Sequence, residues 1–207
     1  MRKEQRRLDR KKASRQGLPA VLIVCEGRET EPNYIDGLRD FLRINAAAVH
    51  VVRGESVTDP AGLVRKAQRL FKSDGNFDLV YVVCDGDSAN LARARQLAQQ
   101  SLRNGSRQTT HVQLLASTPS IEIWLLLHFE YSSRPFSTAT EVTTALRGHL
   151  TDYEKNDRDI FRKVASGLDL ACQRAQQLKL DLQKSGADVP YTDMHLLVEQ
   201  FRSMQGL

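Results

Sequence analysis

Two segments of the sequence indicate the fold class, LPAVLIVCEG at residues 18–27 and FDLVYVVCDGD at residues 77–87. Both segments contain an unbroken apolar run rich in β-branched residues, which is typical of a strand buried on both faces of a parallel sheet. Both then end in acidic residues and glycine, which indicates that the chain turns away from the sheet there. The sequence therefore predicts two buried strands with carboxylates directly after them.

Helical and strand patterns alternate on either side of these two segments. Helices are predicted over residues 31–42, 61–71 and 89–102, and Thr58, Asp59 and Pro60 form the entry signal of the second helix. Shorter strands are predicted over 49–52 and 111–116. Strand and helix thus alternate about every 25 to 30 residues, which is typical of a parallel sheet with right-handed crossovers. We expect an α/β fold with a mostly parallel sheet flanked by helices.

The pattern changes to helix alone after Ser117. A largely buried helix is predicted over residues 121–129, and a capping box at Thr138 and Glu141 predicts a short helix. A stripe of apolar residues at helical spacing then predicts a long helix over residues 159–182. We therefore expect the last third of the chain to be helical.

Three regions follow from these patterns. We expect a basic flexible arm at residues 1–17, an α/β core at 18–130, and a helical C-terminal region at 131–207 that packs on the core. The last helix of this region is expected to begin at a cap formed by Thr192 or Asp193.

Composition excludes several classes of protein. The chain has 207 residues, of which 41% are hydrophobic and 27% are charged, so one principal folded domain is expected. The longest apolar run falls short of the roughly 20 residues that a bilayer span requires, so we do not expect a membrane protein. The three cysteines are an odd number at wide spacings, which suits neither a disulfide framework nor a zinc site. A cytoplasmic protein is the expectation.

The net charge of +5 is concentrated at the start of the chain. Residues 1–17 hold eight basic residues against Glu4 and Asp9, so this arm carries +6 and leaves −1 for the rest of the chain. An arm with almost no apolar residues is expected to bind the phosphates of nucleic acid or an acidic partner, and a purely solubilising tail is an equal alternative. The predicted nucleic-acid-binding residues are Arg2, Lys3, Arg6, Arg7, Arg10, Lys11, Lys12 and Arg15.

Three acidic residues follow the two buried strands directly. Glu26 follows the first strand, and Asp85 and Asp87 follow the second. Ligands of open parallel α/β sheets bind beyond the carboxyl ends of the strands, so these carboxylates converge if the two strands are neighbours. Oxygen ligands suit Mg²⁺ or Mn²⁺, and Gly27 and Gly86 would let a phosphate backbone approach closely. Each motif alone is also common turn chemistry, but a purely structural explanation leaves three like charges at one place.

A fourth carboxylate, Glu122, lies in the apolar segment SIEIWLLLHFE at residues 120–130. A carboxylate among residues that favour burial must be paired or must face a polar site. Its helix follows the strand predicted at 111–116 and begins at the same sheet edge as the other acids. Ligation or orientation of a metal ion and a buried ion pair with an arginine therefore both remain open. His128, six residues later, is predicted to be a core histidine.

Four motifs together resemble the RloB family, whose core is a Toprim-like domain. They occur in order over nearly the whole chain after the arm, so the resemblance is specific. The motifs are VLIVCEGRETEPNY at residues 21–34, VYVVCDGDS at 80–88, TPSIEIWLLLHFE at 118–130 and YTDMHLLVE at 191–199.

The resemblance implies a Toprim-like fold and a role for each acid. Toprim domains use a glutamate after the first strand as general acid or base and an Asp-x-Asp after a later strand to hold Mg²⁺, which here are Glu26 and then Asp85 with Asp87. Toprim patterns often carry further acids after the Asp-x-Asp, where this chain has Ser-Ala-Asn at residues 88–90, so Glu122 would supply the missing ligand. The family also implies a role in bacterial restriction or anti-phage defence, often beside an ATPase partner.

We therefore expect a nuclease that cleaves phosphodiester bonds with Mg²⁺ or Mn²⁺. RNA, tRNA included, is favoured over DNA only by analogy with Toprim-type defence effectors. Two alternatives remain. One is a phosphatase of the haloacid-dehalogenase type with Asp85 as nucleophile, which leaves Glu26 unexplained, and the other is an inactive Toprim-fold subunit that binds nucleic acid or a partner. The predicted catalytic and metal-binding residues are Glu26, Asp85, Asp87 and Glu122.

Overall fold

The structure is a computed structural model that describes residues 18–55, 59–86, 89–103, 109–186 and 189–205. The eight cations of the predicted arm and Asp87 of the predicted metal site lie outside these ranges. The described residues form a mostly parallel sheet with helices on both faces. This arrangement confirms the α/β class and the parallel sheet that the sequence predicts.

The strands form one large sheet and one small one. They are β1 (Val21–Cys25), β2 (Val49–Val52), β3 (Leu79–Asp85), β4 (Leu102–Arg103), β5 (Thr109–Thr110), β6 (Val112–Thr118) and β7 (Tyr191–Thr192). The large sheet has five strands in the order β2-β1-β3-β6-β7. Its first four strands are parallel, whereas β7 is antiparallel to β6. Strands β4 and β5 pair with each other as a separate antiparallel ribbon.

Helices cover both faces of the large sheet. They are α1 (Thr30–Phe41), α2 (Pro60–Asp74), α3 (Leu91–Ala98), α4 (Glu122–Leu127), α5 (Ala139–Arg147), α6 (Ile160–Val164), α7 (Leu168–Ser185) and α8 (Met194–Gln205). Single 3-10 turns lie at Ala46–Ala48 and Ala165–Gly167. Helices α2 and α3 pack on one face, and α1, α4, α6, α7 and α8 pack on the other. None of the described helices is long and apolar enough to cross a bilayer.

Alternate residues of each central strand belong to two apolar clusters on opposite faces of the sheet. In β1, Val21 and Ile23 pack with α1, while Leu22 and Val24 pack with α2. All residues of β1 are 0% exposed. A strand covered on both faces needs apolar side chains on both, which is why its sequence shows no alternation. Helices thus close both faces of the sheet, and a ligand must approach an edge.

Two helix starts follow the signals in the sequence. The Gly62 N–H donates to Asp59 Oδ2 at 2.9 Å, which caps α2. The Glu141 N–H donates to Thr138 Oγ1 at 3.3 Å, which caps α5 as the capping box predicts. These starts were predictable because both bonds join residues three positions apart.

The region after Ser117 is not helical throughout, contrary to the prediction. Tyr191 and Thr192 form β7, in which Thr192 lies opposite Ser117 and Tyr191 opposite Thr118 at the end of β6. A strand of two residues has no periodicity of its own, and its extended conformation depends on pairing with β6. The C-terminal region therefore contributes a strand to the sheet as well as helices.

The long helix predicted over residues 159–182 is broken into α6 and α7 by a 3-10 turn. Gly167 in this turn lies against the main chain of α4, since a Cβ added to it would lie 2.2 Å from the His128 carbonyl oxygen. The apolar stripe continues through both helices, so the pattern did not reveal the break. The helix predicted over 89–102 is also shorter than expected, because it ends at Ala98 and Leu102 begins β4.

Candidate active site

Adjacent strands bring Glu26 and Asp85 together at the carboxyl edge of the sheet. Strand β1 pairs in parallel with β3, with Cys25 opposite Val83. The Glu26 N–H donates to the Val83 carbonyl at 2.9 Å, and the Asp85 N–H donates to Glu26 Oε2 at 3.0 Å. The two strands are therefore neighbours, as convergence of the predicted acids requires.

The turn after Glu26 is packed closely against the chain that follows β2. The Gly54 N–H donates to the Gly27 carbonyl at 2.9 Å. A Cβ on Gly54 would lie 1.7 Å from the Glu26 carbonyl oxygen, and a Cβ on Gly27 would lie 2.0 Å from Glu31 Oε2. Neither glycine has a positive φ. Close approach of the main chain is therefore the reason for glycine at Gly54, whereas a Cβ at Gly27 would require the Glu31 carboxylate to move.

The start of α4 ties Glu122 to the same edge. The Ile121 N–H donates to Asp85 Oδ1 at 3.1 Å, and the Ser120 hydroxyl donates to Glu122 Oε2 at 2.5 Å. The Glu122 side chain is buried. The structure therefore brings three of the four predicted acids to one place, and Asp87 lies outside the described residues.

The other oxygen of Glu122 faces the loop between α5 and α6. The Tyr153 hydroxyl donates to Glu122 Oε1 at 3.0 Å, and Lys155 Nζ lies 3.4 Å from the same oxygen. The cation beside Glu122 is thus a lysine, where the sequence left a pair with an arginine open. The Lys155 side chain is 67% exposed and that of Glu122 is 1% exposed, so this ion pair joins a buried carboxylate to a solvated ammonium group.

Glu31 is a further carboxylate of the site, and the sequence analysis missed it. The Gly27 N–H donates to its Oε1 at 3.2 Å, and its side chain is buried. Burial raises the pKa of Glu31, backbone N–H groups oppose this increase, and the charge of Glu122 adds to it. An acidic residue in the first turn of a helix is ordinary, so no local signal distinguished Glu31. Tyr153 and Lys155 were also missed, since they belong to a polar loop without a motif.

The carboxylates line a cleft of about 280 Å³ at the sheet edge. Acidic residues outnumber basic ones in its wall, so the cleft favours a bound cation. The charged residues of the wall are Glu26, Arg28, Glu29, Glu31, Asp85, Glu122 and Lys155.

A larger cleft of about 990 Å³ lies between α1 and α6. Two of its arginines are already paired with acids, because Arg53 lies 3.1 Å from Asp36 and Arg162 lies 3.0 Å from Asp159. It contains none of the predicted site residues. The smaller cleft is therefore the better candidate for chemistry, since the strand ends converge there.

The electrostatic state of Asp85 reflects this crowding. Its pKa is raised from 3.8 to about 8, mainly by burial and then by the negative charges of Glu31, Glu26 and Glu122. The N–H of Ile121 opposes the increase. In the absence of a bound cation, Asp85 thus takes up a proton near neutral pH, which is unusual for a carboxyl group.

The donor set of the cleft fits a magnesium or manganese ion in chemical type, because it consists of carboxylate oxygens with surplus negative charge. Within the described ranges, however, no group of three His, Cys, Asp or Glu side chains is arranged so that it could hold a metal ion. A metal site at this edge therefore needs Asp87 or a rearrangement of the described carboxylates.

His128 lies in the core, as the sequence predicts. Its Nδ1 lies 2.9 Å from the Trp124 carbonyl oxygen, and its Nε2 lies 3.1 Å from the Tyr34 hydroxyl. A carbonyl oxygen only accepts, so Nδ1 carries the proton and Nε2 accepts from Tyr34. Burial lowers the pKa of His128 to about 4, so the ring is neutral at pH 7. His128 is a packed, hydrogen-bonded residue that takes no part in the cleft.

A family model described as RloB-like protein matches residues 21–201 of the chain, which is nearly its whole length. The matched range contains Glu26, Asp85, Asp87 and Glu122. No curated protein and no solved structure matches the chain.

The crowding of charge predicts that Asp85→Asn stabilises the metal-free protein, and more so at higher pH. The folded-state pKa of about 8 exceeds the ordinary value of 3.8, so the folded protein holds this proton more tightly than the unfolded chain. The contribution of Asp85 to stability therefore falls as the pH rises through this window. Asparagine carries no charge and keeps an oxygen for the Ile121 N–H. The measurement is the melting temperature in chelator at pH 5 and pH 8.5.

Asp74→Asn is the matched control, because Asp74 is an exposed carboxylate at the far end of α2. Its effect on the melting temperature should be small at both pH values. If Asp85→Asn raised the melting temperature equally at both pH values, the pKa of Asp85 would not be raised by its acidic neighbours.

Proposed function

The chain belongs to the RloB-like family, and we propose that it is a Toprim-like nuclease that cleaves the phosphodiester bonds of nucleic acid with Mg²⁺ or Mn²⁺. The observation that carries the proposal is that Glu26 and Asp85, at the ends of adjacent parallel strands, share one cleft with Glu122. A buried carboxyl group such as Asp85, whose pKa is raised to about 8 by burial and acidic neighbours, destabilises a fold, so its presence favours a functional reason.

Glu26, Asp85 and Asp87 are the residues proposed to hold the metal ion. Mg²⁺ or Mn²⁺ bound there would neutralise negative charge on the scissile phosphate and on its leaving oxygen. Asp85 suits this role because a nearby cation favours its ionised form, which burial and its acidic neighbours now disfavour. Asp87 lies two residues beyond Asp85 in the sequence, outside the described residues.

Glu26 is also proposed to move a proton. The Asp85 N–H holds Glu26 Oε2 at 3.0 Å, which fixes the position of the carboxylate in the wall of the cleft. In this role Glu26 accepts a proton from the water whose oxygen attacks phosphorus, or returns one to the leaving oxygen.

Glu122 has a different set of contacts. Ser120 donates to one of its oxygens, and Tyr153 donates to the other, which also faces Lys155. The sequence left open a buried ion pair and, for a metal ion, ligation or orientation. Of the two metal roles, these contacts favour orientation, because both oxygens already have protein partners.

The substrate and setting rest on the family resemblance and on the arm. We propose RNA, with tRNA as the first case to examine, over DNA, and a role as an effector of bacterial anti-phage defence that causes abortive infection. An ATPase partner and a cytoplasmic location belong to the same proposal. The substrate, the defence role, the partner and the location are supported by analogy with the family, because a fold alone does not specify a function.

A second candidate is a Toprim-fold subunit that binds nucleic acid or a partner without cleaving. The observation that favours it is that the described carboxylates do not form a complete metal site by themselves. The two candidates differ in one measurable property, which is cleavage of a labelled polymer in the presence of metal.

The nuclease proposal predicts that the protein cleaves labelled tRNA or another nucleic acid in Mg²⁺ or Mn²⁺, and that chelator stops the reaction. Glu26→Gln, Asp85→Asn and Asp87→Asn should each reduce the rate constant by about a hundredfold or more, because each removes a charge that holds the metal or a group that moves a proton. Gel analysis of tRNA, duplex DNA and single strands, beside a small phosphate ester, measures the activity.

Asp74→Asn again serves as the control and should cleave as the wild type does. The site variants should fold, which circular dichroism and melting temperature check. Cleavage retained in any two of them would reject the site. Binding without cleavage of any polymer by the wild type would support the inactive subunit, and hydrolysis of the ester alone would support the phosphatase.

The arm predicts a separate effect on binding. Deleting residues 2–15 should weaken nucleic acid binding, because cations that bind phosphates release counterions. The salt slope, which is the slope of the logarithm of the binding constant against the logarithm of the salt concentration, should fall by about 0.7 to 0.9 for each phosphate that the protein no longer binds. The arm leads into the amino end of β1, whereas the cleft lies at the carboxyl end. Cleavage at saturating substrate should therefore survive the deletion.

The matched variant keeps the arm and replaces its eight cations with glutamine. It should bind as weakly as the deletion does, since charge rather than length makes the interaction. An unchanged salt slope in both variants would show that the arm does not bind phosphate, and would favour docking to an acidic partner.

A further inference from the structure

The loop at residues 151–159, which we name the strap, is fixed to the first turn of α1. The Thr30 hydroxyl donates to the Lys155 carbonyl at 2.6 Å, and the Asn33 side-chain amide donates to the Asp157 carbonyl at 3.2 Å. The side chains of Thr30 and Asn33 are buried. Helix α1 follows Glu26 after only a short turn, so the strap has a fixed place beside the carboxylates.

A second contact fixes the strap to α6. Lys163 Nζ lies 2.5 Å from Asp152 and 2.7 Å from Asp157. The strap is thus held at both ends, by α1 and by α6. Side chains between these points have a defined position relative to the cleft.

Tyr153 of the strap points inward to Glu122. It is 1% exposed, and its hydroxyl donates to Glu122 Oε1 at 3.0 Å. Burial raises its pKa well above the ordinary range, and the charge of Glu122 adds to the increase. Tyr153 therefore remains a neutral hydrogen-bond donor that holds the Glu122 carboxylate in place.

Lys155 lies two residues further along and reaches the same oxygen from the solvent side. Its Nζ is 3.4 Å from Glu122 Oε1, and its side chain is 67% exposed. An ammonium group has three N–H donors, so one contact with Glu122 leaves donors for a ligand. Lys155 also lines the cleft.

The ion pair of Lys155 with Glu122 offsets only a small part of the cost of burying the Glu122 carboxylate. An ion pair with a solvated partner contributes little to folding, whereas burying a carboxylate is costly. The other basic residue of the cleft wall, Arg28, donates from its guanidinium group to the Glu55 carbonyl at 3.0 Å. Of the two, Lys155 is the one in contact with a cleft carboxylate.

We propose that Lys155 binds a non-bridging oxygen of the phosphate in the cleft and that Glu122 and Tyr153 are the positioning residues that hold its ammonium group there. This inference rests on the proposed function and adds a residue to it. Lys155 keeps its proton throughout. The oxygen of water forms a bond to phosphorus as Glu26 accepts the proton of that water, and the bond from phosphorus to the leaving oxygen breaks as that oxygen takes up a proton. The ammonium group neutralises the charge that grows on the non-bridging oxygen.

The test compares Lys155→Ala and Lys155→Arg with the wild type under steady-state conditions in Mg²⁺, with labelled nucleic acid. Lys155→Ala should lower kcat by about a hundredfold or more with a smaller change in KM, because the interaction strengthens as charge develops in the transition state. Lys155→Arg should restore part of the activity, since it keeps the charge. Lys184→Ala is the matched control, because Lys184 is 74% exposed at the end of α7 and should have no effect.

A double-mutant cycle tests the positioning role. If Glu122 acts by holding Lys155, Glu122→Gln together with Lys155→Ala should be no slower than the slower single variant. If the two reductions in kcat multiply, Glu122 acts independently of Lys155 and its positioning role is rejected. Melting temperatures of all variants near that of the wild type show that the reductions are not due to unfolding.

The outcomes separate this inference from the proposed function. If the wild type cleaves and Lys155→Ala keeps kcat within about threefold of it, the role of Lys155 is overturned while the nuclease stands. If the wild type does not cleave, the nuclease fails, and binding of an oligonucleotide decides the inference. Lys155→Ala should then reduce the salt slope by about 0.7 to 0.9, and an unchanged slope would overturn it.

Discussion

The parallel pairing of β1 with β3 is the interaction on which the site depends. Both strands are buried on both faces, so their position in the middle of the sheet is set by apolar packing from α1 on one side and α2 on the other. Because the strands run in the same direction, their carboxyl ends meet. The hydrogen bond from the Asp85 N–H to Glu26 Oε2 is the direct consequence, since it joins two residues that are 59 positions apart in the chain.

The cost of this arrangement is electrostatic. Glu26, Glu31, Asp85 and Glu122 lie beside one another in one cleft, so ionising all four would place like charges together. The fold offsets the cost with backbone N–H donors, a serine, a tyrosine and the solvated ammonium group of Lys155. The offset is incomplete, because the pKa of Asp85 is still raised to about 8. A cleft that keeps surplus negative charge is suited to bind a cation.

The C-terminal region is part of the site as well as a support for the sheet. Strand β7 extends the sheet beyond β6, and α6, α7 and α8 cover one face of it together with α1 and α4. The strap then returns to the carboxyl edge and places Tyr153 and Lys155 against Glu122. The candidate site is therefore assembled from residues between Glu26 and Lys155, and neither half of the chain contains all of it.

The sequence by itself determined the elements whose signals are local. Unbroken apolar runs predicted β1 and β3, and the sequence placed Glu26 and Asp85 directly after them, so that the two acids would converge if the strands were neighbours. The caps at Asp59 and Thr138 predicted the starts of α2 and α5. These signals join residues within a few positions, or repeat with the period of a single element.

Tertiary structure alone decided the rest. Strand β7 depends on pairing with β6, the break between α6 and α7 lies where Gly167 passes the His128 carbonyl, and Glu31 differs from any acid in a first helical turn only through its neighbours. The strap is the clearest case, because Thr30 and Lys155 are 125 positions apart when they bond. An interaction over that distance has no period and no fixed spacing, so packing of the whole chain had to place Tyr153 and Lys155 beside Glu122.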